Sequence, residues 1–181
     1  WRAMHHGRSK DGRLLVPAFP YPNYTQVTRE DSDAIFAYLQ SVPAAPDANR
    51  AHALRFPYNT QAALAVWRAL FFAPGAPVAE PTQTAEYNRG AYLVNGLGHC
   101  TACHTPRNAL GATSDARAFT GGLIPVQNWY APALNAAHEA GVKEWSTDDV
   151  VALLNIGVAP QGTVLGPMAE VVFRRTPSPT D

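Results

Sequence analysis

The amino-acid sequence predicts an all-α fold in which short helices are separated by long loops. Three observations carry that expectation. Apolar residues recur at helical spacing in four stretches, and three of them follow a Ser or Thr suited to cap a helix, at Thr28, Thr60 and Ser146. The 13 glycines and 16 prolines provide many turns and few long uninterrupted elements. Finally, Cys100-Thr101-Ala102-Cys103-His104 reads as C-x-x-C-H, the attachment signature of a c-type haem. A group of that size replaces part of an apolar core and lengthens the loops around it.

Taken in order, residues 1–45 open with a short helical remnant and a loop marked by Gly12, Pro17, Pro20 and Pro22, then a helix over 29–41. Thr28 caps that helix, Glu30, Asp31 and Asp33 complement its positive end, and Ala34, Ile35, Tyr38 and Leu39 form its apolar stripe. Val42-Pro43 ends it, and residues 46–80 read as a linker with one helix, Gln61 to Phe72, capped by Thr60. This aromatic-rich helix is expected to pack, not to bind a ligand. A third helix runs from Thr84 to about Asn95 and delivers the chain into Cys100. Residues 105–145 read mostly as loop, and a fourth helix starts after Ser146 and stops at Gly157.

The spacing of the motif has a chemical reason. Two thiols one helical turn apart can each add to a vinyl group of the same porphyrin, while the adjacent His104 reaches the iron from one face. Half of a zinc site is the bland alternative, but structural zinc wants four Cys or His ligands in two spaced pairs, and no second pair exists. A dithiol redox pair would be expected beside a βαβ pattern, and none is seen. The reading is one covalent haem c, held by Cys100 and Cys103. The sequence holds two methionines, Met4 and Met168. Met168, in the apparent loop Leu165-Gly166-Pro167-Met168-Ala169, is the candidate sixth ligand to the iron opposite His104. Core filling is the other use of such a Met, and His/Met ligation is an electron-transfer pairing that raises the potential. Trp129 and Tyr130 are candidates to hold haem propionates through their N–H and O–H groups, with plain core packing as the alternative.

Composition excludes several classes. At 46% apolar residues the chain can build a globular core, so disorder throughout is set aside. Lys+Arg and Asp+Glu are both 14, and no basic run or RNA-binding motif occurs, so no nucleic-acid partner is expected. There is no Ser-His-Asp set, phosphate loop or nicotinamide fingerprint. Neither a signal peptide nor a membrane-length apolar run is seen, and the sequence, starting at Trp1 as if within a helix, reads as a piece of a longer chain. Covalent haem attachment is an export-side process, which implies the bacterial periplasm or an equivalent space, possible membrane association coming from parts outside these residues.

An internal repeat accompanies the motif. At an offset of 150, Gly7, Gly12, Leu15 and Pro17 fall on Gly157, Gly162, Leu165 and Pro167, placing Phe19 one residue beyond the counterpart of Met168.

Several stretches together resemble a known family, the multi-haem cytochrome c subunits of bacterial periplasmic dehydrogenases acting on alcohols, gluconate, sorbitol or aldehydes. They are Val16-Pro17-Ala18-Phe19-Pro20-Tyr21, Tyr87-Asn88-Arg89-Gly90-Ala91-Tyr92-Leu93-Val94, Gly96-Leu97-Gly98-His99-Cys100, Cys103-His104-Thr105-Pro106-Arg107-Asn108 and Gly166-Pro167-Met168-Ala169-Glu170-Val171-Val172. The resemblance implies a cytochrome c-like fold. It implies the end of one cytochrome c domain in residues 1–45, whose own C-x-x-C-H would lie about 50 residues before Trp1 by the repeat offset. It implies a second domain in residues 81–181 that lacks its final helix. Many members carry Met where this chain has Phe19, and variants of this kind are similar to cytochromes associated with molybdenum hydroxylases. The implied role is electron transfer from a dehydrogenase catalytic subunit to quinone or a terminal oxidase, more as a non-catalytic subunit than an enzyme. A haem-based catalytic or sensing domain with an open distal position is the competing reading. With the closing helix missing, the helix at 29–41 is expected to stay with its own half and to leave the surface near Tyr92 and Val94 exposed.

Overall fold

The computed structural model describes residues 1–125 and 127–175. Its framework is helical: α1 (Arg2–His6), α2 (Tyr21–Tyr24), α3 (Arg29–Ser41), α4 (Gln61–Phe71), α5 (Ala85–Tyr92), α6 (Thr101–His104), α7 (Thr147–Ile156) and α8 (Gly166–Arg175). The all-α expectation misses two small antiparallel hairpins. Strand β1 (Gly122–Ile124) pairs with β2 (Trp129–Ala131), and β3 (Val158–Ala159) pairs with β4 (Gly162–Thr163). Strands of two or three residues carry no legible alternation, which is why a period-2 reading passes over them. The chain divides into two compact units, Trp1–Ala102 and Cys103–Asp181.

Three of the four predicted helices start where the expected caps lie, whereas α5 starts at Ala85, one residue after the expected Thr84, which serves as its cap. Thr28, Thr60, Thr84 and Ser146 each accept, through the side-chain oxygen, the N–H three residues on, which satisfies one of the donors a helix start leaves open. At α7 this cap is extended. The Ser146 hydroxyl donates to Asp149 Oδ2 at 2.7 Å, and Gln161 Nε2 donates to the same oxygen at 2.8 Å, tying the helix start to the β3–β4 turn. The Gln161 amide, and then the Ser146 hydroxyl, hold the Asp149 carboxyl below its ordinary 3.8. A carboxyl depressed in the folded state stabilises above its unfolded pKa and ceases to do so as pH falls through the folded value. Acid melts run from about pH 5 downward are therefore expected to show less loss of stability for Asp149→Asn than for the parent, from a lower starting point.

In the first unit Tyr21, Val27 and Leu64 are buried. Tyr21 lies edge-on to Phe72 at 4.8 Å, and Arg68 sits over both rings. Gln61 clasps the main chain of Leu14, accepting from its N–H at 2.7 Å and donating to its carbonyl at 3.2 Å. These contacts hold α4 against the N-terminal segment as packing.

The start of α3 meets the residue that ends α5. The Tyr92 hydroxyl donates to Asp31 Oδ2 at 2.5 Å and accepts from the Thr28 N–H at 3.2 Å. Tyr92 is therefore half-covered, against expectation, whereas Leu93 and Val94 remain exposed. The far end of α3 takes no part: Tyr38 and Leu39 are exposed, and a Cβ added at Gly90 would meet nothing within 4 Å.

The internal repeat has a structural form. Gly7 ends α1 and Gly157 ends α7, both left-handed at φ 55° and 77°, a conformation glycine adopts without steric cost. Each is followed by a hairpin-like turn closed on its own carbonyl, by the Leu15 N–H on Gly7 O and by the Val164 N–H on Gly157 O, both at 2.9 Å. Each glycine is covered by an aromatic ring from downstream, Tyr21 in the first copy and Phe173 in the second. The second turn is one residue shorter, so Leu15 answers to Val164. Counting on from there, Phe19 answers to Met168 itself.

Candidate haem site

The approach to the motif is irregular. α5 passes into a π-helical segment, Leu93–Leu97, so that the Gly98 N–H reaches Leu93 O at 2.6 Å and the Cys100 N–H reaches Val94 O at 2.9 Å. Such π insertions shift the register of a helix and gather at functional sites. His99 follows at φ 40° and Cys100 opens the turn of α6. Both cysteines are half-buried thiols outside any disulfide. Burial pushes the Cys103 thiol up, and the Arg107 charge opposes that shift.

The second unit sets the imidazole of His104. Its Nδ1 lies 2.8 Å from the Pro132 carbonyl oxygen. A carbonyl only accepts, so Nδ1 carries the proton and Nε2 keeps its lone pair for a metal, an arrangement characteristic of ligating histidines. Pro132 is brought there by the first hairpin, which directly precedes it: Gly122 pairs with Ala131, and the Gly121 N–H donates to His104 O at 3.0 Å. The segment after the motif is knit by Asn108, whose Oδ1 accepts from the Leu110 and Ala112 N–H groups, and by Arg107, which donates to Gly111 O. Sequence reasoning missed Pro132, since a backbone carbonyl leaves no residue-type signal.

Met168 is not in a loop. It occupies the first turn of α8, because Pro167 is tolerated, even favoured, at the start of a helix, a signal the sequence held. Met168 lies four residues before Val172, on the same helix face, and Val172 is buried. Trp129 packs its ring on Gly166, where an added Cβ would stand 2.8 Å from three ring atoms. The indole is thus beside the start of α8, two residues from Met168. Tyr130 points its hydroxyl at Glu139, with the nearer oxygen at 3.2 Å, and that oxygen also accepts from the Ala133 N–H at 2.6 Å. Partial desolvation and then the Glu139 carboxylate hold the Tyr130 phenol above its ordinary value.

The second unit buries mainly small residues, Ala112, Ala131, Ala133, Ala159, Val164 and Val172, while Leu123, Trp129, Leu154, Ile156 and Leu165 stay exposed. Large apolar side chains left outside a core of small ones fit a domain whose core includes an apolar planar group. The residue types agree: two thiols suited to covalent attachment of a porphyrin and an imidazole with a lone pair on Nε2 suit a c-type haem, for which a Met thioether is one of the known further iron ligands. Among the described residues no cluster of three or more His, Cys, Asp or Glu could hold a metal ion. Nor is any described helix long and apolar enough to cross a membrane.

No family model matches the chain. Known proteins do. Over 94% of its length it is 42% identical to a subunit of the nicotinate dehydrogenase of Pseudomonas putida. Over 97% it is 36% identical to the cytochrome c subunit of alcohol dehydrogenase (quinone) of Gluconobacter oxydans, and over 99% it is 34% identical to a diheme cytochrome c-type protein of Cereibacter sphaeroides. It spans 14%, 38% and 59% of those three proteins. The motif and the helical framework agree with the latter two relatives, which are c-type cytochromes by name and imply haem c as the cofactor. Within that class it is homologous, over nearly its whole length, to the cytochrome c subunits of dehydrogenases.

Proposed function

We propose that this chain is an electron-transfer segment of a dehydrogenase complex, with one covalent haem within its 181 residues. The observation that carries the reading is the His104 Nδ1 bond to Pro132 O, which leaves Nε2 as a ligand directly after the two cysteines. Bound haem supplies one-electron chemistry at iron. The chain's residues would hold and tune it: Cys100 and Cys103 would attach it, His104 and Met168 would ligate its iron, and the Pro132 carbonyl would keep the imidazole oriented. Trp129 is the donor we assign to a propionate. For Tyr130 the neighbouring Glu139 carboxylate would repel a second carboxylate, so we assign its hydroxyl to Glu139.

In this reading residues 81–181 form the haem-bearing cytochrome c domain, residues 46–80 a linker with one helix, and residues 1–45 the end of a preceding cytochrome c domain. Electrons enter from a catalytic dehydrogenase subunit and leave to quinone or a terminal oxidase, on the periplasmic side of the inner membrane. The inward face shared by Met168 and Val172 favours a closed sixth position, and hence a carrier over a catalytic or sensing haem. The haem-loaded protein is expected to be reduced and reoxidised reversibly while turning over no alcohol or aldehyde by itself. Unaided turnover at the rate of the whole complex would sink the proposal.

A further inference from the structure

We infer that the rings of Phe19, Tyr24 and His99 form an electron bridge leading to Cys100 from a one-electron donor seated against Phe19, by the symmetry of the repeat a second haem. The inference rests on the carrier reading above. Phe19 and Tyr24 have ring centroids 5.3 Å apart, and Tyr24 and His99 are 5.2 Å apart, nearly edge-on, separations typical of aromatic pairs in direct contact. His99 is bonded through the main chain to Cys100, the first attachment point.

The geometry is held on both sides. Asn23, next to Tyr24, donates to Thr101 Oγ1 at 2.6 Å, which fastens α2 to the turn between the cysteines. Tyr21, Thr25 and Val27 around it are buried. At the other end His99 has its Nδ1 3.1 Å from Leu97 O and a left-handed backbone at φ 40°. For a residue with a side chain that conformation costs about 1–2 kcal/mol and persists where the surroundings impose it. The strained residue is the one that turns a ring back onto Tyr24.

At the outer end Phe19 is 39% exposed and holds the position that answers to Met168. A phenyl ring has no lone pair for iron, so Phe19 cannot ligate, but it offers an apolar edge to a flat macrocycle. The step is an electron transfer alone: the donor loses one electron, ferric iron at the His104 site gains it, and no bond or proton moves. The rings are neither oxidised nor reduced. They provide orbital overlap, and tunnelling falls off less steeply through rings in contact than across a gap. The Tyr24 hydroxyl has no part in this, whereas the ring does.

A ruthenium photosensitiser attached at Ala18→Cys, an exposed position beside Phe19, injects an electron into the ferric haem-loaded protein on a flash. Tyr24→Phe is expected to match the parent rate, and Tyr24→Leu to be several-fold slower, with absorption spectrum and midpoint potential unchanged in both. Equal rates for Tyr24→Leu and Tyr24→Phe would overturn the bridge, as would slowing that accompanies a shifted potential, the mark of a packing role. A parent haem that the photosensitiser cannot reduce would instead count against the carrier reading itself.

Discussion

Replacing Met168 by Ala is expected to leave the haem covalently attached through Cys100 and Cys103 and to open the sixth position of its iron. Met168 sits in the first turn of α8, and its N–H bonds Leu165 O at 3.2 Å. The turn is anchored at one end by Gly166 under the Trp129 ring and at the other by buried Val172. An Ala there keeps the helix, since Ala is the best helix former, and removes only the thioether. The low-spin spectrum should give way to one that responds to added imidazole or CO, and the midpoint potential should fall with the loss of His/Met ligation. Because Met168 is only half-buried, the loss of stability should stay near or below about 2 kcal/mol, the low end for Met→Ala. Met168→Leu separates the two roles, restoring packing without the ligand. An unchanged spectrum in both variants, insensitive to CO, would remove Met168 from the site.

Through a clash with the backbone next to His104, Gly122→Ala should be strongly damaging to the second unit. Its Cβ would stand 2.7 Å from Thr105 O and 3.1 Å from Pro106 Cα, main-chain atoms that cannot swing aside as a side chain can. Thr105 is 2% exposed and follows His104 directly, and its Oγ1 accepts the Phe119 N–H. On the other side Gly122 is paired with Ala131, the neighbour of Pro132. The extra methyl therefore drives the hairpin that supplies the Pro132 carbonyl away from the segment carrying His104. Overpacking costs about 1–3 kcal/mol, and clash with backbone on a buried segment belongs at the upper end. At roughly 4–8 °C per kcal/mol for a unit of this size, the haem-loaded protein should melt about 10 °C or more below the parent. The midpoint potential should move as well, because the imidazole loses the bond that fixes its proton on Nδ1. A variant that melts with the parent and keeps its potential would show that the hairpin does not position His104.

The sequence by itself determined the helices that are locally signalled and the chemistry of the motif. Thr28, Thr60 and Ser146 mark their helix starts to the residue, because a cap and its first turn lie within four residues of one another. C-x-x-C-H is legible for the same reason, its three functional side chains being spaced by a single helical turn. The repeat was legible in its glycines, since only a left-handed helix end demands them at Gly7 and Gly157.

Contacts between residues far apart in the chain were decided only by the tertiary structure. The partner of His104 is a carbonyl 28 positions away. Tyr92 is covered by Thr28 and Asp31, which no periodicity in α5 announces. The true counterpart of Met168 emerged as Phe19 once two equivalent turn bonds showed that the second copy is one residue shorter. Tyr24 was an ordinary aromatic in the sequence, and its place between Phe19 and His99 follows from the bond that Asn23 makes with Thr101. Side-chain type and spacing encode what happens within a turn or two. Which distant backbone group meets a given side chain depends on how loops rich in glycine and proline close, and that is set by packing.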